Sequence, residues 1–288
     1  MNHLLILPVA LPLLTGALLL IGARWTLATR RVINGISTAL LLAITVNLLL
    51  LSGDDAIRVY LLGDWAPPFG ILLVFDRLSA LMLALTALLA AGALAYALQG
   101  TDREGHNFHA LFQFQLLGLN GAFLTGDLFN LFVFFEILLI ASYGLLLHGG
   151  GPQRARAGLH YVVLNLIGSS FFLIAAALLY SVTGTLNMAD LAVQVRALPA
   201  ADLPIAAAGG LLLLAVFGLK AAVMPLHFWL PHAYSAAPAP VAALFAIMTK
   251  VGAYAIIRVF TLVFGEEAGP LAGLADPWLL GVGIGYRF

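Results

Sequence analysis

An all-α, polytopic membrane protein is the fold class predicted for this chain, on three observations. Of its 288 residues 62% are hydrophobic and only 9% charged, and the mean hydropathy is +1.05, far more apolar than a soluble domain. Apolar runs of about twenty residues, the length that crosses a hydrocarbon core, recur along the chain between short polar loops. The only two lysines, Lys220 and Lys250, lie inside such runs rather than between them. Composition also excludes several classes. With 13 basic and 13 acidic residues the net charge is zero, so no electrostatic footprint exists for nucleic acid or for a polybasic lipid anchor. With no cysteine, disulfides, thiolate catalysis and Cys-ligated iron–sulfur or zinc sites are ruled out.

In order, the predicted spans are residues 4–23, 32–51, 71–98, 109–125, 128–147, 159–182, 203–229 and 241–264, about eight in all. The first begins at Met-Asn-His without a basic n-region and continues apolar for about twenty residues, which favours an uncleaved helix over a signal peptide. Loop 24–31 separates it from the second, and the long polar loop 52–70 leads to the third, with Asp76 and Arg77 near its start read as a local pair or a subunit contact. The fourth follows loop 99–108. Asp127 caps the fifth, with Asn130 one turn on. The sixth follows loop 148–158, where glycines 149–151 and Pro152 read as a turn. Its Asn165, Ser169 and Ser170 are spaced to join helices or to line a cavity. In loop 183–202 the stretch NMADLAVQVRAL (187–198) places Met188, Leu191, Ala192 and Val195 on one side, as an interfacial surface helix does. After the seventh and eighth spans and loop 265–276, residues 277–288 begin like a ninth span but stop after about three turns, so the chain is expected to be incomplete. No linker is long enough to separate domains, and one membrane domain is expected.

Arginines 24, 30, 31, 103, 154 and 156 fall in one set of alternate loops, against Arg58 and Arg196 in the other. The positive-inside rule then places the first set in the cytoplasm and the N-terminus outside.

Three ionisable groups lie near the middle of spans: Glu136 in the fifth, Lys220 in the seventh and Lys250 in the eighth. A charge at that depth costs about 2.5–3.5 kcal/mol on insertion scales and faces the bundle interior or a wet cavity, where such groups pair and mark ion pathways. A carboxylate beside an ammonium holds the lysine proton on, whereas desolvation pushes it off, so a Glu–Lys pair is a proton switch in principle. A static ion pair that fixes helix register is the plainer alternative. Pro225, five residues after Lys220, removes a helix hydrogen bond and clashes with the carbonyl of Ala221, so a break is expected beside the lysine. Broken helices recur at transport sites, although a packing kink is the commoner use of a membrane proline. His227 lies two turns beyond Lys220 and His232 follows Pro231; either imidazole could pass protons. Lys250, Tyr254 and Arg258 are spaced by four and form one stripe, a possible donor chain, with snorkelling as the alternative for Arg258. No nucleotide-loop motif and no metal-type cluster occurs, so neither a cofactor nor a metal is expected.

The segments GDLFNLFVFFEILLIASY (126–143) and LKAAVMPLHFWLPHAYSAAPAPVAALFAIMTKVGAYAIIR (219–258) resemble the antiporter-like subunits shared by respiratory complex I and the Mrp multisubunit cation/proton antiporters. FNLFVFFE and TKVGAYAIIR look most similar to the D-type subunits of the Mrp and Pha antiporters. The resemblance implies a fold of two inverted five-helix repeats, each with a broken helix, flanked by further helices. Here 1–108 would be leading helices, 109–264 the first repeat (segments four to eight) with its broken seventh helix, and 265–288 an incomplete ninth helix, the second repeat being absent. It implies that Glu136 pairs with Lys220 and that Lys250 connects the pair to the proton path at the membrane centre, and it does not imply quinone chemistry. The implied function is that of a proton-translocating subunit of a Na⁺ or K⁺/proton antiporter, assembled with other membrane subunits in a bacterial plasma membrane. Two alternatives stay open: a proton-pumping subunit of a respiratory NADH:quinone oxidoreductase-type complex, and a truncated scaffold that transports nothing.

Overall fold

A computed structural model describes residues 3–67 and 70–285. The first helix, α1 (Leu7–Ile21), contains Pro12, which cannot donate to the carbonyl of Pro8 four residues back. Asn120 of a later helix donates to that carbonyl instead, at 2.8 Å. Helix α2 (Leu27–Leu51) starts five residues earlier than expected, because Thr26 caps it by accepting from the Thr29 amide. Arg30 and Arg31 therefore stand on a helix and not in a loop.

The third span is also corrected. Residues 72–75 form a strand, β2 (Leu72–Phe75), paired antiparallel with β1 (Arg58–Leu61) from the preceding loop. A short apolar run with Val and Phe suits a half-buried strand as well as a helix, and here Asp76 decides. Its side chain accepts from the Ser79 amide while the Ser79 hydroxyl accepts from the Asp76 amide, both at 2.9 Å, which starts α3 (Arg77–Ala97) six residues later than the hydropathy run begins.

Helices α4 (Phe108–Leu124), α5 (Leu128–Leu146) and α10 (Ala239–Leu262) follow the predicted spans within two residues. In contrast, α6 (Pro152–Thr183) begins seven residues before its predicted span, at a proline suited to the first helical turn, and so carries Arg154 and Arg156 on a helix and not in a loop, and α8 (Leu203–Lys220) ends nine residues short of the predicted span. Asp127 caps α5 through the Asn130 amide at 2.8 Å, as the sequence implies, and Gly184 ends α6 in the left-handed region at φ 70°. The predicted surface helix is α7 (Met188–Arg196), with Met188, Leu191, Ala192 and Val195 buried. Backbone bonds between Met188 and Gly126, and between Leu128 and Leu186, tie it to the start of α5. Past α8 the chain turns and forms a short helix, α9 (Trp229–Ala236), and after α10 it reaches α11 (Asp276–Gly285). The expected tail past Gly285 lies outside the described residues.

Among the described residues six helices, α2, α3, α5, α6, α8 and α10, are long and apolar enough to cross a membrane. Helix α4 is the innermost: all of its residues except Leu111 and Phe114 are buried, packed by α1, α2, α3, α5 and α10. Its amides and imidazole therefore need partners inside the protein. Apolar residues such as Leu159, Leu166 and Ile174 of α6 stay exposed on the outside, as on a lipid-facing wall.

Ion pairs sort the loops into two ends. At one, Arg31 meets Asp102 and Arg154 meets Glu104; at the other, Arg77 meets Asp55, Arg196 meets Glu267 and Arg258 meets Asp76. The first end is the arginine-rich one. Asp76 and Arg77 are thus not each other's partners: Asp76 takes a two-pronged bond from Arg258, at 2.5 and 3.0 Å. Both side chains are mostly shielded, 20% and 17% exposed. Asp76→Ala is expected to destabilise the folded chain by about 2 kcal/mol, since it removes a helix cap and leaves the arginine half-buried and unpaired; denaturant titration in detergent micelles checks it. Burial pushes the Asp76 carboxyl up, but hydrogen bonds from Arg258 and Ser79 and the Arg258 charge hold it below the ordinary carboxylate range. A depressed carboxyl stabilises above its unfolded value, so this contribution is present above about pH 4 and lost as pH falls below it.

Candidate functional site

The break in the seventh predicted span falls at the lysine. Lys220 is the last residue of α8, and the helix closes by bonds from the Val223 amide to the Gly218 carbonyl (2.9 Å) and from Ala222 to Leu219 (3.1 Å). This is a Schellman closure, whose pivot residue must enter the left-handed region. Ala222 does so, at φ 54°, where glycine is the usual choice. Pro225 then prevents the helix from resuming. The Leu219 carbonyl also accepts from Trp229 Nε1 at 2.9 Å, which fixes the start of α9 against the end of α8. An ammonium at a helix C-terminus is also favoured by the exposed carbonyl dipoles there.

Lys220 is 4% exposed. Its Nζ donates to the Asn165 carbonyl (3.2 Å), to Asn165 Oδ1 (3.3 Å) and to Ser169 Oγ (3.3 Å), all on α6. Three acceptors satisfy its three protons. The Phe135 ring centroid lies 5.9 Å away. Close approach depends on Gly168, where a Cβ would stand 2.8 Å from a Leu219 methyl and 3.8 Å from Nζ.

Glu136 and Lys220 belong to one cluster but form no ion pair among the described residues. The Ser169 hydroxyl joins them: it accepts from Lys220 and donates to Glu136 Oε1. The spacing of Ser169 on α6 suits a cavity wall but does not disclose this role, because α5, α6 and α8 meet there only in the folded chain.

Lys250 is not brought to the cluster. Its side chain is exposed on the outer side of α10, with one long contact to Thr249 Oγ1 at 3.4 Å. Two residues on, Gly252 backs directly onto the helix break, where a Cβ would lie 2.8 Å from both Ala221 Cα and the Lys220 carbonyl carbon. Those neighbours are backbone and cannot swing aside, so Gly252→Ala is expected to displace α10 from the break and lower stability by about 1–3 kcal/mol. Thermal unfolding of the purified variant checks this.

His227 sits in the turn after Lys220, half-buried, its Nδ1 enclosed and without a hydrogen-bond partner among the described residues. His232 is exposed on α9, with its ring 6.1 Å from that of His160 on α6. Together with Arg156 and Ser235 they line an open groove of about 1050 Å³ near the arginine-rich end. His160 carried no signal in the sequence, since a lone histidine on an otherwise apolar helix has no pattern. Tyr254 and Arg258 are fully engaged: Tyr254 donates to the Phe123 carbonyl at 2.7 Å and accepts from Arg258, which also holds Asp76.

The fold and the site define a class, the multi-pass helical membrane proteins that hold a buried lysine at a helix break, joined here through a hydroxyl to a glutamate in a neighbouring helix. Similarity to known proteins narrows the class. Residues 125–274 match the family described as "NADH:quinone oxidoreductase/Mrp antiporter, TM", and the chain belongs to that family. It is 50% identical, over 99% of its length and 54% of the relative's, to the probable D-type subunit of a K⁺/H⁺ antiporter of Rhizobium meliloti (strain 1021). It is 44% identical to the D-type subunit of a Na⁺/H⁺ antiporter of Alkalihalophilus pseudofirmus, over 93% of this chain and 55% of that one. The fold is similar to a chain in the structure of the Mrp complex from Dietzia sp. DQ12-45-1b, with a TM-score of 0.83 and 35% identity, covering 92% of this chain and 50% of that one. The chain thus spans about half the length of the curated relatives it matches.

Proposed function

We propose that this chain is a proton-translocating part of a multisubunit Na⁺ or K⁺/proton antiporter in a bacterial plasma membrane, assembled with other membrane subunits. The observation that carries the reading is the Glu136–Ser169–Lys220 chain at the break of α8. In this reading Lys220 is the proton carrier. Its ammonium form is favoured by the nearby Glu136 carboxylate and disfavoured by burial, so a small change at the serine or the glutamate tips the balance. Asn165 holds the amine in place in either state, since both of its oxygens lie within hydrogen-bonding reach of Nζ. The proton then passes to Lys250 and onward through parts of the assembly that face it, while His227 and His232 serve the route from the groove.

Residues 109–264 act in this reading as the first of two repeats, preceded by leading helices in 1–108, with 265–288 opening the next helix. The arginine-rich end faces the cytoplasm and the N-terminus faces out. The names of the relatives favour cation exchange, whereas the family description also covers quinone-linked complexes. Vesicles carrying the full assembly separate the two. A preset pH gradient is expected to collapse on adding Na⁺ or K⁺ but not choline. Cation-independent behaviour together with co-purifying iron–sulfur subunits would overturn the antiporter reading in favour of the respiratory one.

A further inference from the structure

A second buried polar row joins α1, α2 and α4, and nothing in the proposed relay uses it. It starts at the arginine-rich end, where Asp102 is 1% exposed. Both carboxylate oxygens accept from Arg31, at 2.6 and 2.7 Å, and His109 Nε2 lies 3.2 Å from one of them. The other ring nitrogen, Nδ1, is 2.8 Å from Asn34 Nδ2. Asn34 Oδ1 accepts from Gln113 Nε2 at 2.6 Å and from Thr38 Oγ1 at 3.2 Å. Gln113 Oε1 accepts from Ser37 Oγ at 3.3 Å, and Ser37 Oγ accepts from Thr15 Oγ1 at 2.9 Å. Apart from Arg31, which is partly exposed, every side chain in the row is buried.

The row has a direction. Thr15 donates to Ser37, Ser37 to Gln113, Gln113 to Asn34, and Asn34 to the His109 Nδ1 lone pair. This arrangement fits a neutral imidazole whose single proton is on Nε2, donated to Asp102. A proton added at Nδ1 would set two N–H donors face to face at 2.8 Å. One rearrangement removes the conflict in place: the Asn34 amide turns over, its oxygen to the imidazolium and its nitrogen to Gln113, while the Thr38 hydroxyl, which donates to Asn34 Oδ1 and lies 3.4 Å from Gln113 Nε2, turns to accept from the Asn34 nitrogen. Gln113 must then turn over too, which presents its nitrogen to Ser37, and the Ser37 hydroxyl swings to Thr15. Thr15 can give its own proton to the carbonyl four residues back, as buried helix threonines do.

We propose that His109 is a second proton-binding site of this membrane domain, and that its protonation reverses the hydrogen-bond chain Asn34–Gln113–Ser37–Thr15 as a unit. The row crosses three helices and has two self-consistent polarities, which is the property a two-state element needs. The charged groups facing His109 are Asp102, which favours the proton, and Arg30 and Arg31 of α2, which oppose it; α1 has no charged residue, and His148 of the α5–α6 loop stacks on Phe108 and bonds the Thr101 carbonyl. Burial pushes Asp102 up, but the hydrogen bond and charge of Arg31, with His109, hold it below the ordinary carboxylate range, so it stays an anion for the imidazolium to pair with. The site is separate from the Glu136–Ser169–Lys220 cluster and stands whether or not the assembly exchanges cations.

Solid-state NMR of the chain in lipid bilayers, with ¹⁵N in histidine, asparagine and glutamine side chains, tests it. At high pH His109 is expected as the Nε2–H tautomer. As pH falls it should convert to the doubly protonated ring, and the Gln113 side-chain amide signal should move with the same midpoint. Asp102→Asn should lower that midpoint by about one pH unit or more. In His109→Gln the Gln113 signal should lose its pH dependence; should that variant not fold, Asp102→Asn carries the test. A His109 that stays neutral at every pH where the protein is folded, or a Gln113 signal that does not follow it, overturns the proposal.

Discussion

Lys220→Ala is expected to reduce cation-induced collapse of a pH gradient to the rate of empty vesicles when the full assembly is reconstituted. The lysine is the group of the break that touches the Asn165 and Ser169 acceptors, and no other ammonium lies among the described residues of the cluster. Its loss leaves the Asn165 oxygens and Ser169 each short of a donor, a cost of about 1–3 kcal/mol. Assembly must therefore be measured alongside transport, by co-purification with the other subunits. Lys220→Arg serves as the second arm. It keeps the charge, but the guanidinium holds its proton at all working pH values, and the space beside Gly168 is closed. Both variants are expected to assemble and fail to exchange. Exchange at the wild-type rate in Lys220→Ala would remove this residue from the path.

Glu136→Gln is the second large effect. The substitution keeps the shape and one acceptor oxygen for the Ser169 hydroxyl, turns the second oxygen into a donor NH2, and removes the charge. Two unit charges bridged by one hydroxyl, on the order of 6 Å apart, interact by about 3 kcal/mol at an effective dielectric of ~20, roughly a hundredfold in an equilibrium constant. Exchange is expected to fall by about that factor, with normal assembly and a shifted pH optimum. Ser169→Ala separates field from contact: it removes the shared hydroxyl but leaves both charges in place. A loss smaller than that of Glu136→Gln indicates that the charge acts through space, whereas an equal loss makes the hydroxyl part of the route. No change in Glu136→Gln would leave Glu136 a structural residue.

Some of the site could be read directly and some could not. Glu136, Lys220 and Lys250 stand out because a charge in an apolar run is costly and needs a partner or a wet cavity. The break beside Lys220 followed from Pro225, although the closure itself is made by Ala222, three residues earlier, in a conformation that no alanine advertises. Asp76 and Arg77 were adjacent and opposite in sign, so a local pair was the natural reading. The fold instead gives Asp76 to Arg258 and Arg77 to Asp55, because helix geometry points neighbouring side chains apart. His109, Asn34 and Gln113 raised no signal, since polar residues scattered over two helices show no pattern until those helices pack.

The amino-acid order alone determined the membrane class, the positions of most helices and the three deep charges, because hydropathy, caps and prolines act within a few residues of themselves. Only the tertiary structure decided which of those charges meet. A charge selects its partner by distance in space, and that distance depends on helix rotation and close contacts at Gly168 and Gly252. That packing set Ser169 between Glu136 and Lys220, left Lys250 on the outer face of α10, and enclosed the His109 row within α1, α2 and α4.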